Sequence, residues 1–332
     1  MRGGNVQIET TLAGSYPKLP TQPGDANLRV VRNRRDQGKA TDQDVAEAIL
    51  ATTRRILAMQ ERAGVDIPVD GAAAWDDAQT YVARSLGGFQ IAGLIRYLDT
   101  NTYYRQPEIV GAVSWERPIT VEDFRAAQSM SERPVKALLP GPFSLYRFSK
   151  DRHYKSPADA LRAIGAALAR EAQALEKAGA RWIHFEEPWI GRVRAEEASL
   201  VRAALEPLLA ERTARTVIHV PFATPGAVFD AIRDLKWSAI GLDLVESSAA
   251  WDILPRVPKE RIVALGLIDA RNTRLEDPAE VARAVARARS ARPDLDFQLS
   301  TSASLEYLPA DKAELKVSRL VEAARIASRN GG

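Results

Sequence analysis

Ionisable and hydroxyl side chains recur in this sequence where short, β-rich apolar runs end: Ser15, Asp70, Glu186 with Glu187, His219, Asp243, Asp269 with Arg271, and Ser302. Carboxylates gathered in one semi-buried cup raise one another's pKa and cost stability, so such a concentration points to a site. Glu186 or Glu187 is then expected to act as general acid/base, with His219, Asp243 and Asp269 completing the catalytic set. Arg271 and Arg274 would hold an anionic group through bidentate contacts. His184 and Glu186 stand two apart on one run and so face the same side. With His219 and Asp243 they could offer a two-His, carboxylate ligand set to a divalent metal. The chain has no cysteine, which removes thiolate metal sites, disulfides and Cys nucleophiles.

Bringing these residues together requires strands that all point one way. Apolar runs predict strands over 10–15, 66–70, 135–140, 182–186, 216–222, 239–245, 261–269 and 297–302. Most are followed by a helix signal. Thr41 and Asp44 form a capping-box-like start before Val45, Ile49 and Ile56, and Gly64 closes that helix. Ser156-Pro157 and Asp277-Pro278 are N-caps with Pro at the first helical position, and Thr224-Pro225 opens another helix. Strands alternating with crossover helices give parallel pairing with right-handed connections. Eight such units predict an α/β fold, a single (β/α)8 TIM barrel over 1–332, with its active site at the C-terminal strand ends. Residues 87–118, with Tyr103, Tyr104 and Trp115, form an insertion too long for a simple βα loop and read as a lid.

Composition narrows the partners. Over 332 residues, 46 Lys and Arg nearly balance 43 Asp and Glu, and the signs alternate, which argues against a nucleic-acid surface. No apolar stretch approaches the ~18 residues of a membrane span. The first ten residues lack a signal-peptide core, so the expected location is cytoplasmic. Neither a Gly-x-Gly-x-x-Gly after the first strand nor a Gly-x-x-x-x-Gly-Lys occurs, so nucleotide cofactors lose their usual support. A small-molecule substrate is expected; the sequence does not fix an oligomeric state.

The order of motifs resembles the C-terminal catalytic barrel of cobalamin-independent methionine synthase, especially its short single-barrel archaeal and bacterial relatives. The resemblance runs through Thr10-Thr-Leu-Ala-Gly-Ser-Tyr-Pro17, Leu98-Asp-Thr-Asn-Thr-Tyr-Tyr-Arg-Gln-Pro107 and Pro134-Val-Lys-Ala-Leu-Leu-Pro-Gly-Pro142. It continues through Phe185-Glu-Glu-Pro188, Leu265-Gly-Leu-Ile-Asp-Ala-Arg271 and Ser302-Ala-Ser-Leu-Glu306. It implies a methionine synthase/uroporphyrinogen decarboxylase-like barrel. That family activates the homocysteine thiol on a zinc held by a His, two Cys and a Glu. Here the His is His219, the Cys positions hold Pro221 and Ala303, and the Glu position holds Asp243. Zinc is therefore not expected, since three or four ligands are normally needed. The Glu that holds the homocysteine amine is replaced in Gly71-Ala72, and the family's Asp-Glu-Pro reads Glu186-Glu187-Pro188. The proton-donating His corresponds to Arg271, which stays charged near neutrality, while Ser15 and Asp269 match.

These departures predict an enzyme with altered C1/alkyl-transfer or lyase-type chemistry on a small anionic substrate. Ser15, Asp70, Tyr103, Tyr104, Trp189, Arg271 and Ser302 are the expected substrate contacts. The resemblance leaves room for a folate or corrinoid methyl donor and for a corrinoid or accessory protein. A genuine homocysteine S-methyltransferase and a non-catalytic binding paralogue are the alternatives.

Overall fold

The computed structural model describes residues 8–20, 24, 27–209 and 212–329; residues 1–7, part of the stretch read as lacking a signal-peptide core, lie outside the described residues. The strands are β1 (Glu9–Thr10), β2 (Gly87–Arg96), β3 (Tyr103–Ser114), β4 (Lys136–Pro140) and β5 (Lys150–Asp151), then β6 (Trp182–Glu186), β7 (Arg215–Val220), β8 (Ala239–Asp243), β9 (Ile262–Ile268) and β10 (Asp296–Thr301). Seven of them form one sheet in the order β1-β10-β9-β8-β7-β6-β4, and every pair is parallel.

The curled sheet is closed between β1 and β4 by the 66–70 segment, expected as a full strand. It contributes two isolated parallel bridges, Thr11 with Ile67 and Val69 with Lys136. Pro68 explains the shortfall, because it has no N–H to give a ladder. Side chains make up the difference. Thr11 donates its hydroxyl to Ile67 O at 2.9 Å, and the buried Gln60 amide bonds Val69 twice, at 2.7 and 3.0 Å. Gln60 belongs to the helix Asp42–Ala63, which begins with the expected capping box at Thr41 and ends on Gly64 at φ 96°. The barrel class holds, with one stave pinned largely from outside the sheet.

Long helices cover the outer face where the sequence places them, at Pro157–Lys177 and Pro278–Ala291, and a further one, Ala310–Arg329, follows β10. The helix expected from Thr224-Pro225 shrinks, and the crossover after β8 is a 3-10 stretch. After β7 there is a 3-10 turn and the short helix Phe229–Arg233, and after β8 a 3-10 stretch, Ser248–Arg256, that contains Pro255. A proline at that point cannot donate to an α-helical ladder. The 87–118 insertion is an antiparallel hairpin of β2 and β3, with β5 parallel along its outer edge. Its return strand is anchored on the fully buried Glu171, which accepts from Trp115 Nε1, Ile119 N and the Thr120 amide and hydroxyl at 2.7–2.9 Å.

Inside the barrel, Ile67, Trp182, Val217 and Ala239 pack together and plug the end away from the strand C-termini. Above this plug lie polar residues, and the candidate site lies above those.

Candidate functional site

Among the described residues, Lys136, His184 and His219 are ionisable side chains buried in the barrel interior. Lys136, the first residue of β4, donates to Leu12 O at 2.6 Å; burial lowers its ammonium to about 7, with the nearby Glu186 opposing. His184 on β6 and His219 on β7 are each 2% exposed, their ring centroids are 5.3 Å apart, and among the described residues no partner in good hydrogen-bonding geometry meets their ring nitrogens, although the Ser302 backbone lies close enough to His219 to raise its pKa slightly. Burial, with Lys136 adding to it, lowers both imidazoles, His219 to about 3, so both are neutral. Gly241 leaves room for the His219 ring, since a Cβ there would lie 2.7 Å from Cδ2.

Glu186 ends β6 at the register of His219 and opens into a cavity of about 610 Å³. Ser15, Asp77, Gln79, Tyr97, Tyr103, Tyr104, Glu306 and Tyr307 share its lining. Gly14, at φ 62°, lets Glu186 come close to the chain: a Cβ there would sit 2.9 Å from Oε2. The Ser304 hydroxyl donates to Glu186 Oε1 at a long 3.4 Å and accepts from the Ser15 amide at 2.9 Å. Burial, and then the Glu306 carboxyl, push Glu186 up to about 8. Burial also raises Glu306, against the pull of Lys18. Asp77 is raised by burial although it caps the helix Ala78–Ala83 through Thr80.

Only Ser15, Glu186, Tyr103 and Tyr104 of the expected residues line this cavity. Tyr103 is 62% exposed, whereas the buried Tyr104 gives its hydroxyl to Phe148 O at 2.9 Å. Glu187 points the other way. Its carboxylate accepts from Phe143 N, Ser144 N and Ser144 Oγ at 2.6–3.0 Å and so caps the helix Pro142–Phe148. Burial still lifts it to about 7 against those bonds. Gly141 is required there, because a Cβ would fall 2.1 Å from Glu187 Cδ. Trp189 packs on Phe148 and under the Arg147 guanidinium, outside the cavity lining. Asp70 accepts from the Ala72 amide at 2.9 Å and is raised by burial to about 6.

Asp243 spends its carboxylate on the amides of Phe222, Val245 and Glu246, at 2.9–3.1 Å. Phe222 is held there at φ 68°, a conformation rare for a bulky residue. Ser302 accepts from Ala270 N at 3.1 Å, and Asp269 accepts from Arg271 N at 2.8 Å. Asp269 and Arg274 line a second, separate hollow. Arg271 lies over the Phe222 ring, 3.6 Å from Asp99 and 3.5 Å from Glu246, so its charge is already matched.

The sequence offers His184, Glu186, His219 and Asp243 as ligands should a divalent metal bind, and of these Asp243 is engaged by backbone amides. Among the described residues, no group of three or more His, Cys, Asp or Glu is placed to hold a metal ion. The zinc of the resembled family is not matched either. Pro221 and Ala303 bring no donor, and three backbone amides occupy Asp243. Gln79, Tyr97, Glu306 and Tyr307 were missed as cavity-lining residues because they sit at a helix start, in a loop and in the 3-10 turn Leu305–Tyr307, where no strand alternation marks them.

Among the described residues, no helix is long and apolar enough to cross a membrane. Residues 8–326 match the family described as cobalamin-independent synthase, catalytic domain. Curated relatives include a methionine synthase of Sulfurisphaera tokodaii, 28% identical over 328 residues that cover 96% of this chain and 92% of that one. Another is a methionine synthase of Thermococcus kodakarensis, 25% identical over 97% of this chain and 94% of that one. Among solved structures, a B12-independent methionine synthase from Shewanella sp. W3-18-1 in complex with selenomethionine superposes with a TM-score of 0.85. That pair is 22% identical and covers 98% of this chain and 99% of the other, which bears on the fold. With nearly its whole length matched, the chain belongs to the family of the cobalamin-independent synthase catalytic domain.

Proposed function

We propose that this chain is a small-molecule enzyme in which Glu186 transfers the proton, within the C1/alkyl-transfer or lyase range and without a zinc-activated thiolate. One observation carries the reading: a carboxyl at the end of a barrel strand faces the mouth cavity, where burial pushes its pKa up to about 8. Such a group donates to a leaving atom near neutrality and takes a proton back as carboxylate, the task for which catalytic pKa values are tuned. Ser15 lies beside it, and Tyr103 and Tyr104 bring the hairpin to the same cavity as a lid. Glu187 is assigned as a positioning residue, since its three bonds fix the segment after β4. Folate is the methyl donor this reading allows, whereas a corrinoid falls with the family's cobalamin-independent description.

The test is turnover of a metabolite mixture followed by mass spectrometry, for the native chain and Glu186→Gln. A fall of about 10²-fold or more is expected in the variant; equal turnover would remove Glu186 from the chemistry. A second reading, methyl transfer to homocysteine, is favoured by the names of the relatives. Methionine formation from methyltetrahydrofolate and homocysteine is expected to be negligible. Formation within about tenfold of a zinc-containing relative would establish it instead. Binding without any turnover would mark the chain as a non-catalytic paralogue.

A further inference from the structure

Resting on the reading of the hairpin as a lid, we infer that Asp99 latches it: gripped by Arg192 and Arg271, its carboxylate holds the hairpin tip across the barrel mouth and gates entry to the cavity below. Asp99 Oδ1 lies 3.4 Å from Arg192 and Oδ2 3.6 Å from Arg271, one arginine to each oxygen. The places of the two arginines in the barrel give this its meaning. The hairpin follows the 66–70 stave, which its two bridges set between β1 and β4. Arg271 stands just past β9, three staves round the rim one way. Arg192 ends the 3-10 turn Ile190–Arg192 after β6, two staves round the other way. A carboxylate that meets both has come out over the mouth.

The tip is tied within itself and rises from a fixed base. At the base, Glu171 takes the four donors already described. In the tip, Tyr97 N donates to Thr102 O at 2.9 Å, Thr100 Oγ1 to Tyr97 O at 2.6 Å, and Arg96 Nε to Thr100 O at 2.5 Å. The Tyr97 ring lines the cavity and stacks on Phe148 at 4.8 Å, so the tip brings part of the wall with it. The fastening is weak: Asp99 is 57% exposed, and a pair so exposed shifts an equilibrium by no more than about fivefold. A lid needs such a fastening, enough to bias closure and little enough to release. Glu246 at 3.5 Å and the Phe222 face at 5.4 Å steady Arg271. Where the resembled family carries a histidine, this arginine stays charged, so that side of the latch does not titrate near neutrality.

Thiol labelling tests the latch, because the chain has no cysteine and Ser15→Cys places one thiol on the cavity wall, where Ser15 is 9% exposed. The probe is the uncharged reagent dithiodipyridine, followed by absorbance. In that background Asp99→Asn should speed labelling about fivefold or more, and Arg192→Gln or Arg271→Gln about twofold or more. Raising NaCl from about 0.01 to 1 M cuts the Debye length from roughly 30 to 3 Å. That should speed the parent by a similar factor and leave Asp99→Asn nearly unchanged. Circular dichroism checks each fold. If Ser15→Cys does not fold, Ala78→Cys on the same wall replaces it; if Asp99→Asn does not, the two Gln variants and the salt response decide. Labelling that ignores either the variants or salt would overturn the inference. No step of this test needs turnover. Latch-dependent labelling without Glu186-dependent turnover would sink the proposed chemistry alone, and the reverse would sink the latch alone.

Discussion

The carboxylates under the hairpin and those at the mouth differ in one respect, the company they keep. Glu171 meets four donors, and Glu108 meets Arg152 at 2.8 Å and the Gln90 amide at 2.9 Å, which holds its carboxyl down at about 2. Glu276 takes Lys316, a fully buried ammonium, at 2.6 Å on Oε1, while its buried Oε2 has no partner among the described residues. At the mouth, Glu186 meets only the long 3.4 Å contact from Ser304 among the described residues, and burial pushes both it and Glu306 upward. Satisfied acids hold the scaffold in place, while unmatched acids in a cavity cost stability that only a ligand or a reaction can offset.

The largest test of that contrast is Glu171→Leu, which strands the Trp115, Ile119 and Thr120 donors. Urea denaturation should show a loss of about 4 kcal/mol; a loss below about 1 kcal/mol would break the comparison. Glu186→Gln should act in the opposite sense. In the folded chain Glu186 keeps its proton to about pH 8, and in the unfolded chain only to about 4.5. Between those values the unfolded state binds fewer protons, so stability falls as pH rises and levels off above pH 8. The native chain should therefore lose on the order of 3 kcal/mol relative to the variant between pH 5 and 8. Parallel pH slopes would contradict the raised carboxyl. Lys316→Met leaves Glu276 with the Asp269 amide as its remaining donor, and should cost about 2 kcal/mol in thermal unfolding. The smallest effect belongs to Arg271→Ala. Its two loose ion pairs are worth less than about 1 kcal/mol, so the expected signal is faster amide exchange around Asp99 with little change in melting temperature.

Much of the scaffold could be read from sequence because strand alternation and helix caps are local. The strand expected over 182–186 and the capping box at Thr41 are found as read. Pro68 carried a warning that the 66–70 strand would be thin, since proline breaks a central ladder. The site was harder. Sequence places Asp243 at a strand end but does not say that the next loop folds its amides over that carboxylate. Glu187 follows Glu186 directly, yet the alternation of a strand sends the two side chains to opposite sides, and that signal was available. Asp77 with Thr80 three residues later carried a cap signature, whereas Glu306 and Tyr307 had no periodic mark.

Because Val69 has a single bridge to β4 and is otherwise held by the side-chain amide of Gln60, the barrel resembles a hoop fastened by a clasp. A hoop yields first at its clasp. The chain leaving that clasp runs through the left-handed pair Gly71 and Ala72 to Asp77 and Gln79 on the cavity wall. The helix bearing Gln60 is thereby tied, through one side-chain amide, to the segment of chain that goes on to supply the cavity wall.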